Sequence, residues 1–130
     1  MTPRAEAWIR QADSDLNAAR CMQAQGFHAQ ACYLAAQAAE KALKALVVAT
    51  GVTPPHSHSL ERLLELLETQ GLAVEPLKQL HLKPLTRMSS QTRYPQGDEA
   101  PVDLFDAKDS EPAVATATSV VGLATALLAG

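Results

Sequence analysis

Aromatic side chains are almost missing from this sequence: one Trp, two Tyr and two Phe make up 4% of 130 residues. With β-branched residues also sparse, a β-sandwich or barrel is excluded, because its packed faces require such side chains. Glycine is scarce, at 6, and no Gly-rich loop opens a helix, which removes phosphate cradles of the P-loop or dinucleotide-binding kind. The 2 cysteines, Cys21 and Cys32, are too few for a disulfide scaffold or a metal knuckle and fit a reduced cytosolic chain. His56 and His58 form an HxH pair with no third ligand at a useful spacing, so neither a metal nor a cofactor is expected. What remains is dominated by alanine and leucine, the strongest helix formers. At 47% hydrophobic and 19% charged residues, the chain has the makings of one folded domain over residues 1–130 and is too short for two.

Charge of one sign is missing locally. The formal net charge is −3, yet from Pro76 to Gly97 there are Lys78, His81, Lys83, Arg87 and Arg93 and not one carboxylate. Acids gather instead at Glu61, Glu65, Glu68 and Glu75 and again from Asp98 to Glu111. An acid-free basic stretch on an acidic chain is a place to draw a phosphate; a solvated helix face is the alternative. From Pro112 to Gly130 no charge occurs at all. That length nominally suffices for a membrane span, but the segment is rich in Ala, Thr and Ser and has no basic flank. A buried bundle helix is expected, with no membrane. The beginning, MTPRAEAWIR, lacks the apolar core of a signal peptide, and a cytoplasmic location is expected.

Apolar periodicity supplies the elements. Ala5, Trp8, Ala12, Leu16 and Ala19 define a helix from about Pro3 to Gln25, with Gly26 as its stop. A second helix runs from Phe27 to about Thr50 along Ala31, Leu34, Ala35, Ala38, Ala42, Ala45, Leu46 and Ala49. Its polar ridge is Tyr33, Gln37, Glu40 and Lys44, with Glu40 spaced to pair with Lys44. Pro54 and Pro55 keep the next segment non-helical. Ser57 or Ser59 caps a leucine helix through Leu60, Leu63, Leu64 and Leu67. A fourth helix from about Glu75 carries Pro84, where a kink or break is expected. Residues 92–106 read as a long loop. A last helix begins near Asp109 or Ser110, with Pro112 in its first turn. The expected architecture is all-α: an up-and-down bundle of four long helices and one short one.

The run QAAEKALKALVVATG, then PPHSHSLERLLELL, then TRYP after a basic helix resembles the HEPN domain family of prokaryotes, over about Ala5 to Leu128. The resemblance implies a helical bundle that dimerises, with a polar cleft at the dimer interface. It also implies pairing with a small nucleotidyltransferase, as toxin and antitoxin or as a nucleotide-modifying system. Active members are metal-independent ribonucleases that carry an Arg, a short polar spacer and a His. Here Arg87 is followed by MSSQT and then by Arg93, with no histidine in the spacer. Arginine is no base near neutral pH, so anion binding survives this departure and proton transfer does not.

Arg87 and Arg93 are therefore the leading phosphate-binding residues, with Lys83, Lys44 and Tyr94 as further nucleotide contacts. The two arginines could instead cap helical carbonyls or pair with Asp98 and Glu99, and Tyr94 could simply pack at the rim. His58, with Arg87, is the catalytic pair if any activity exists; otherwise His58 organises the start of the leucine helix. Small residues at Ala113, Ala117, Gly122 and Ala126 allow a close helix contact within or between chains. The expected function is a nucleotide- or RNA-phosphate-binding homodimer, non-catalytic or weakly catalytic, that partners a nucleotidyltransferase. A ribonuclease toxin and a non-catalytic protein-interaction dimer are the alternatives.

Overall fold

The structure is a computed structural model that describes residues 2–130. Seven helices occur among the described residues: α1 (Pro3–Ala24), α2 (His28–Ala49), α3 (Leu60–Thr69), α4 (Glu75–Lys78), α5 (Lys83–Gln91), α6 (Pro101–Leu104) and α7 (Ala107–Ala129). The all-α bundle is as expected. The division into helices differs: three are long, α3 and α5 are of intermediate length, and α4 and α6 are single turns.

α2 is the axis of the bundle and touches α1, α3, α5, α6 and α7. Its sequence dictates this position. Alanine recurs on almost every side, so Ala31, Ala35, Ala38, Ala39, Ala42 and Ala45 are buried together with Leu43, Leu46 and Val47. A helix apolar over most of its circumference must be largely enclosed, and alanine lets neighbouring axes approach closely. α1 contributes Ala5, Ile9, Ala12, Leu16 and Ala19 to this core. α3 adds Leu60, Leu63, Leu64 and Leu67, each fully buried leucine stabilising the fold by about 1.5–3 kcal/mol before entropy is counted.

The helix ends follow from local chemistry. Thr2 Oγ1 accepts from the Ala5 amide at 3.2 Å, and Pro3 occupies the first turn of α1. Gly26 takes φ 83° beyond its end, a conformation that costs glycine nothing. Ser59, rather than Ser57, caps α3 by accepting from the Arg62 amide at 3.3 Å. At Pro84 the chain breaks rather than kinks: α4 ends at Lys78 and α5 restarts at Lys83 with Pro84 in its first turn. Proline is tolerated there because the first helical amides have no partner anyway. This break turns one expected long helix into two short ones.

Two further boundaries depart from expectation. Residues 92–106 are not wholly loop, since α6 forms a helical turn behind a Gln96–Glu99 backbone pair. α7 starts at Ala107, before the expected Asp109, because Asp106 and Asp109 cap it reciprocally. Pro112 therefore lies inside α7 and not in its first turn. The uncharged α7 has a membrane-span length and apolarity, yet Ala113, Val114, Ala117, Val120, Val121 and Ala124 are buried against the bundle. Its other face leaves Ala115, Ser119, Gly122 and Ala126 exposed. Of the four small residues expected to mediate close contact, Ala113 and Ala117 do so within the chain.

Candidate phosphate-binding site

The polar ridge of α2 is the spine of the site. Tyr33, Gln37, Glu40 and Lys44 follow one another at helical spacings of four, three and four residues and share one face. Glu40 and Lys44 are almost fully buried, at 5% and 7% exposure. The Glu40 carboxylate accepts from Lys44 Nζ at 3.0 Å through Oε2 and is bonded to His58 Nδ1 at 2.8 Å through Oε1. Two buried charges are tolerable only when paired and hydrogen-bonded, and this arrangement meets both conditions. The His58 side chain is 60% exposed, so its Nε2 edge is open while Nδ1 is held. His58 does not organise the start of α3 through backbone bonds. That task falls to Ser59 and to Thr86, whose hydroxyl accepts from the Leu60 amide at 3.2 Å and donates to Glu61 Oε2 at 2.8 Å.

Lys44 is thus turned inward onto Glu40 and is buried. The neighbouring Lys41 pairs with Asp15 at 2.5 Å. Both α2 lysines are therefore engaged within the protein.

The acid-free stretch is divided between two faces. Lys78, His81 and Lys83 line a groove of about 520 Å³ opposite Glu61, Glu65 and Glu68 of α3. Lys78 meets Glu68 at 2.5 Å, and this bond raises the affinity of its amine for the proton. Lys83 lines that groove and not the cleft that Arg93 lines. The apparent acid-free character of the segment is lost in three dimensions, because α3 brings its own carboxylates alongside.

Midway along α5 and just beyond its end the situation reverses. Arg87 and Arg93 are exposed, and among the described residues neither pairs with a carboxylate, Asp98 and Glu99 included. Arg93 is held by aromatic faces instead. Its guanidinium carbon lies 5.2 Å from the Tyr33 ring centroid and 5.4 Å from that of Tyr94, within the range of cation–π attraction. Gln30, Tyr33, Thr92, Arg93 and Tyr94 line a cleft of about 400 Å³. Thr92 is buried, and its hydroxyl donates to the Met88 carbonyl at 2.6 Å, which fixes the turn that carries Arg93. Tyr94 is 65% exposed and does not pack into the bundle.

The structure therefore joins Arg93 and Tyr94 in one cleft, leaves Arg87 free on α5, and directs Lys44 and Lys83 elsewhere. Two residues of the arrangement escape a reading by sequence proximity. Gln30 and Tyr33 lie far ahead of Arg93 in the chain, and only the packing of α5 on α2 brings them together. The ridge containing Tyr33 is visible as periodicity; its partner is not.

Cys32 is fully buried on α2, and burial together with the nearby Asp109 pushes its thiol up to about 12. Cys21 is exposed and free. His28 Nδ1 shares a 2.8 Å hydrogen bond with the fully buried Ser110 hydroxyl, which ties the start of α2 to α7. Among the described residues no three His, Cys, Asp or Glu side chains converge as metal ligands.

The HEPN domain family model matches residues 5–127. Among solved structures, TT1696 from Thermus thermophilus is similar at 30% identity with a TM-score of 0.86, over 97% of this chain and 99% of that one. ST0689, described as an archaeal HEPN homologue, is similar at 26% identity with a TM-score of 0.72, over 96% of this chain and 98% of that one. No curated protein sequence matches the chain.

Proposed function

The chain belongs to the HEPN domain family, and from that premise we propose that it binds the phosphates of a nucleotide or RNA as the partner of a small nucleotidyltransferase. In this reading it acts as a cytoplasmic homodimer in a toxin–antitoxin-like or nucleotide-modifying system, without catalysis of its own. One observation carries the binding role: the exposed Arg93 guanidinium sits between two tyrosine rings with no carboxylate in reach. A guanidinium neutralised by an acid has little left for a phosphate, whereas one oriented by aromatic faces keeps its donors for a charged oxygen. Arg87, free on α5 just ahead of the turn that carries Arg93, adds a second cation.

The homodimer is supported by side chains that a monomer leaves open. Phe27, Val102 and Leu104 are large, apolar and exposed. Gly122 and Ala126 of α7 are exposed too and offer a flat surface to another helix. The test of the binding role is the affinity of the purified protein for labelled RNA and for nucleotides as salt is raised. Binding weakens with salt, and Arg87→Ala combined with Arg93→Ala abolishes it. Undiminished binding by the double variant overturns the proposal. Co-expression with a small nucleotidyltransferase, where one is encoded beside it, yields one complex at gel filtration, and separate elution ends the partnership.

A ribonuclease is the second reading, and His58 favours it. A carboxylate behind Nδ1 leaves Nε2 to exchange a proton with substrate, the arrangement by which histidine is oriented as a base. Incubation with RNA in EDTA decides between the two: cleavage lost in His58→Ala supports the enzyme, and intact RNA supports the binder.

A further inference from the structure

We infer that the cleft between α2 and the end of α5 takes an unpaired nucleobase as well as a phosphate, so that its ligand is a single nucleotide or an unpaired strand and not a duplex. This rests on the phosphate-binding reading of Arg93 and extends it to the base. The geometry has three parts. Arg93 lies against both Tyr33 and Tyr94, at 5.2 Å and 5.4 Å from the ring centroids, and so steadies the Tyr94 side chain. Tyr94 nevertheless keeps 65% of its surface open. A large aromatic face left in water beside a free cation is an unfinished stack, and a base completes it while its phosphate reaches the guanidinium.

The third part is Gln30, which lines the same cleft and is exposed. Its amide carries both a donor and an acceptor, so it can follow the edge of a base without demanding one identity. The only other polar side chain of the lining apart from the tyrosines and Arg93 is Thr92, whose hydroxyl is engaged with the Met88 carbonyl. At about 400 Å³ the cleft falls within the size range of small-ligand pockets. Bases inside a duplex are stacked on one another and present only their edges, so they cannot offer a face to Tyr94; an unpaired base can.

Four probes at one low salt concentration form the experiment, all with the full chain. They are a single-stranded oligoadenylate, an abasic strand of the same length, a duplex of the same length, and AMP. The oligoadenylate binds roughly tenfold more tightly than the abasic strand, the order of effect expected for one stacked base. The duplex gains nothing from its bases. Tyr94→Leu lowers oligoadenylate binding to near the abasic level and lowers abasic binding far less, because Tyr33 still lies against Arg93. Gln30→Ala lowers oligoadenylate binding less. AMP binding that depends on Tyr94 identifies a free nucleotide as a sufficient ligand, and strand binding without AMP binding identifies an unpaired strand; both support the inference. Equal binding of base-bearing and abasic strands overturns it while leaving the phosphate site intact. Binding of none of the probes overturns the phosphate site itself, and the inference with it.

Discussion

Two clusters of charge, one on α2 and one on and just after α5, which packs on α2, obey opposite rules. On the α2 ridge, Glu40 and Lys44 are enclosed and satisfy each other, with His58 completing the carboxylate. On α5 and just beyond it, Arg87 and Arg93 are exposed and pair with no acid among the described residues. Burial makes an unpaired charge prohibitive, so the ridge must be internally complete. Exposure removes that constraint, and a cation held against aromatic rings retains its capacity for an external anion. The ridge is thus a structural device that also fixes His58, whereas the surface at α5 is the one proposed to bind phosphate. Proximity in sequence misleads here: Lys78 and Lys83 belong to the same basic stretch, but they face the carboxylates of α3.

Substitutions sharpen this contrast. The largest effect is on the ridge. Glu40→Ala leaves Lys44 buried without its partner and costs about 3–5 kcal/mol in urea unfolding. Glu40→Leu combined with Lys44→Met recovers most of that loss, because an apolar pair has no charge to strand. A cost for Glu40→Ala below about 1 kcal/mol would mean that the pair is a surface pair.

Arg93→Ala inverts the pattern. Stability stays within about 0.5 kcal/mol, while RNA affinity falls by about 1.5–3 kcal/mol, the worth of hydrogen bonds to a charged group. A matching loss of stability would make Arg93 a structural residue.

The enclosure of α2 has a consequence in alkali. The Cys32 thiol holds its proton in the folded chain up to about 12, against an ordinary value of 9.0. Below pH 9 both states are protonated, and the thiol makes no difference. Above it only the unfolded chain releases the proton, so stability falls by about 1.4 kcal/mol per pH unit up to the folded value. Cys32→Ala removes this component, which is read as the wild-type minus variant difference across that window. The same burial predicts that a thiol reagent modifies Cys21 alone until denaturant is added.

The smallest effect is at the open side of the ridge. His58→Ala removes one hydrogen bond from Glu40, which keeps Lys44, and lowers stability by about 1 kcal/mol. A loss as large as that of Glu40→Ala would show His58 to be the indispensable partner.

The bundle was legible because its information is local. Alanine and leucine at spacings of three and four, Gly26 as a stop, and Ser59 as a cap all act within a turn or two of the chain. The break at Pro84 was partly legible, since proline announces an interruption but not whether the helix resumes. The early start of α7 was harder, because it depends on the reciprocal bonding of Asp106 and Asp109. The site was half legible. Arg87, Arg93 and Tyr94 stand out by charge pattern and motif, but the inward turn of Lys44 and the acidic surroundings of Lys83 depend on which helices are neighbours. Gln30 and Tyr33 joined the site for the same reason, through contact between helices far apart in the chain.

The salt dependence of single-stranded RNA binding tests the central claim most directly, measured for the wild type and for Arg87→Ala with Arg93→Ala. Each phosphate contact contributes about 0.7 to the slope of log affinity against log salt for a single strand. Loss of two contacts therefore flattens the slope by about 1.4, with the urea midpoint unchanged. An unaltered slope in a folded double variant would contradict the account, because the two free arginines would then not be where the phosphates bind.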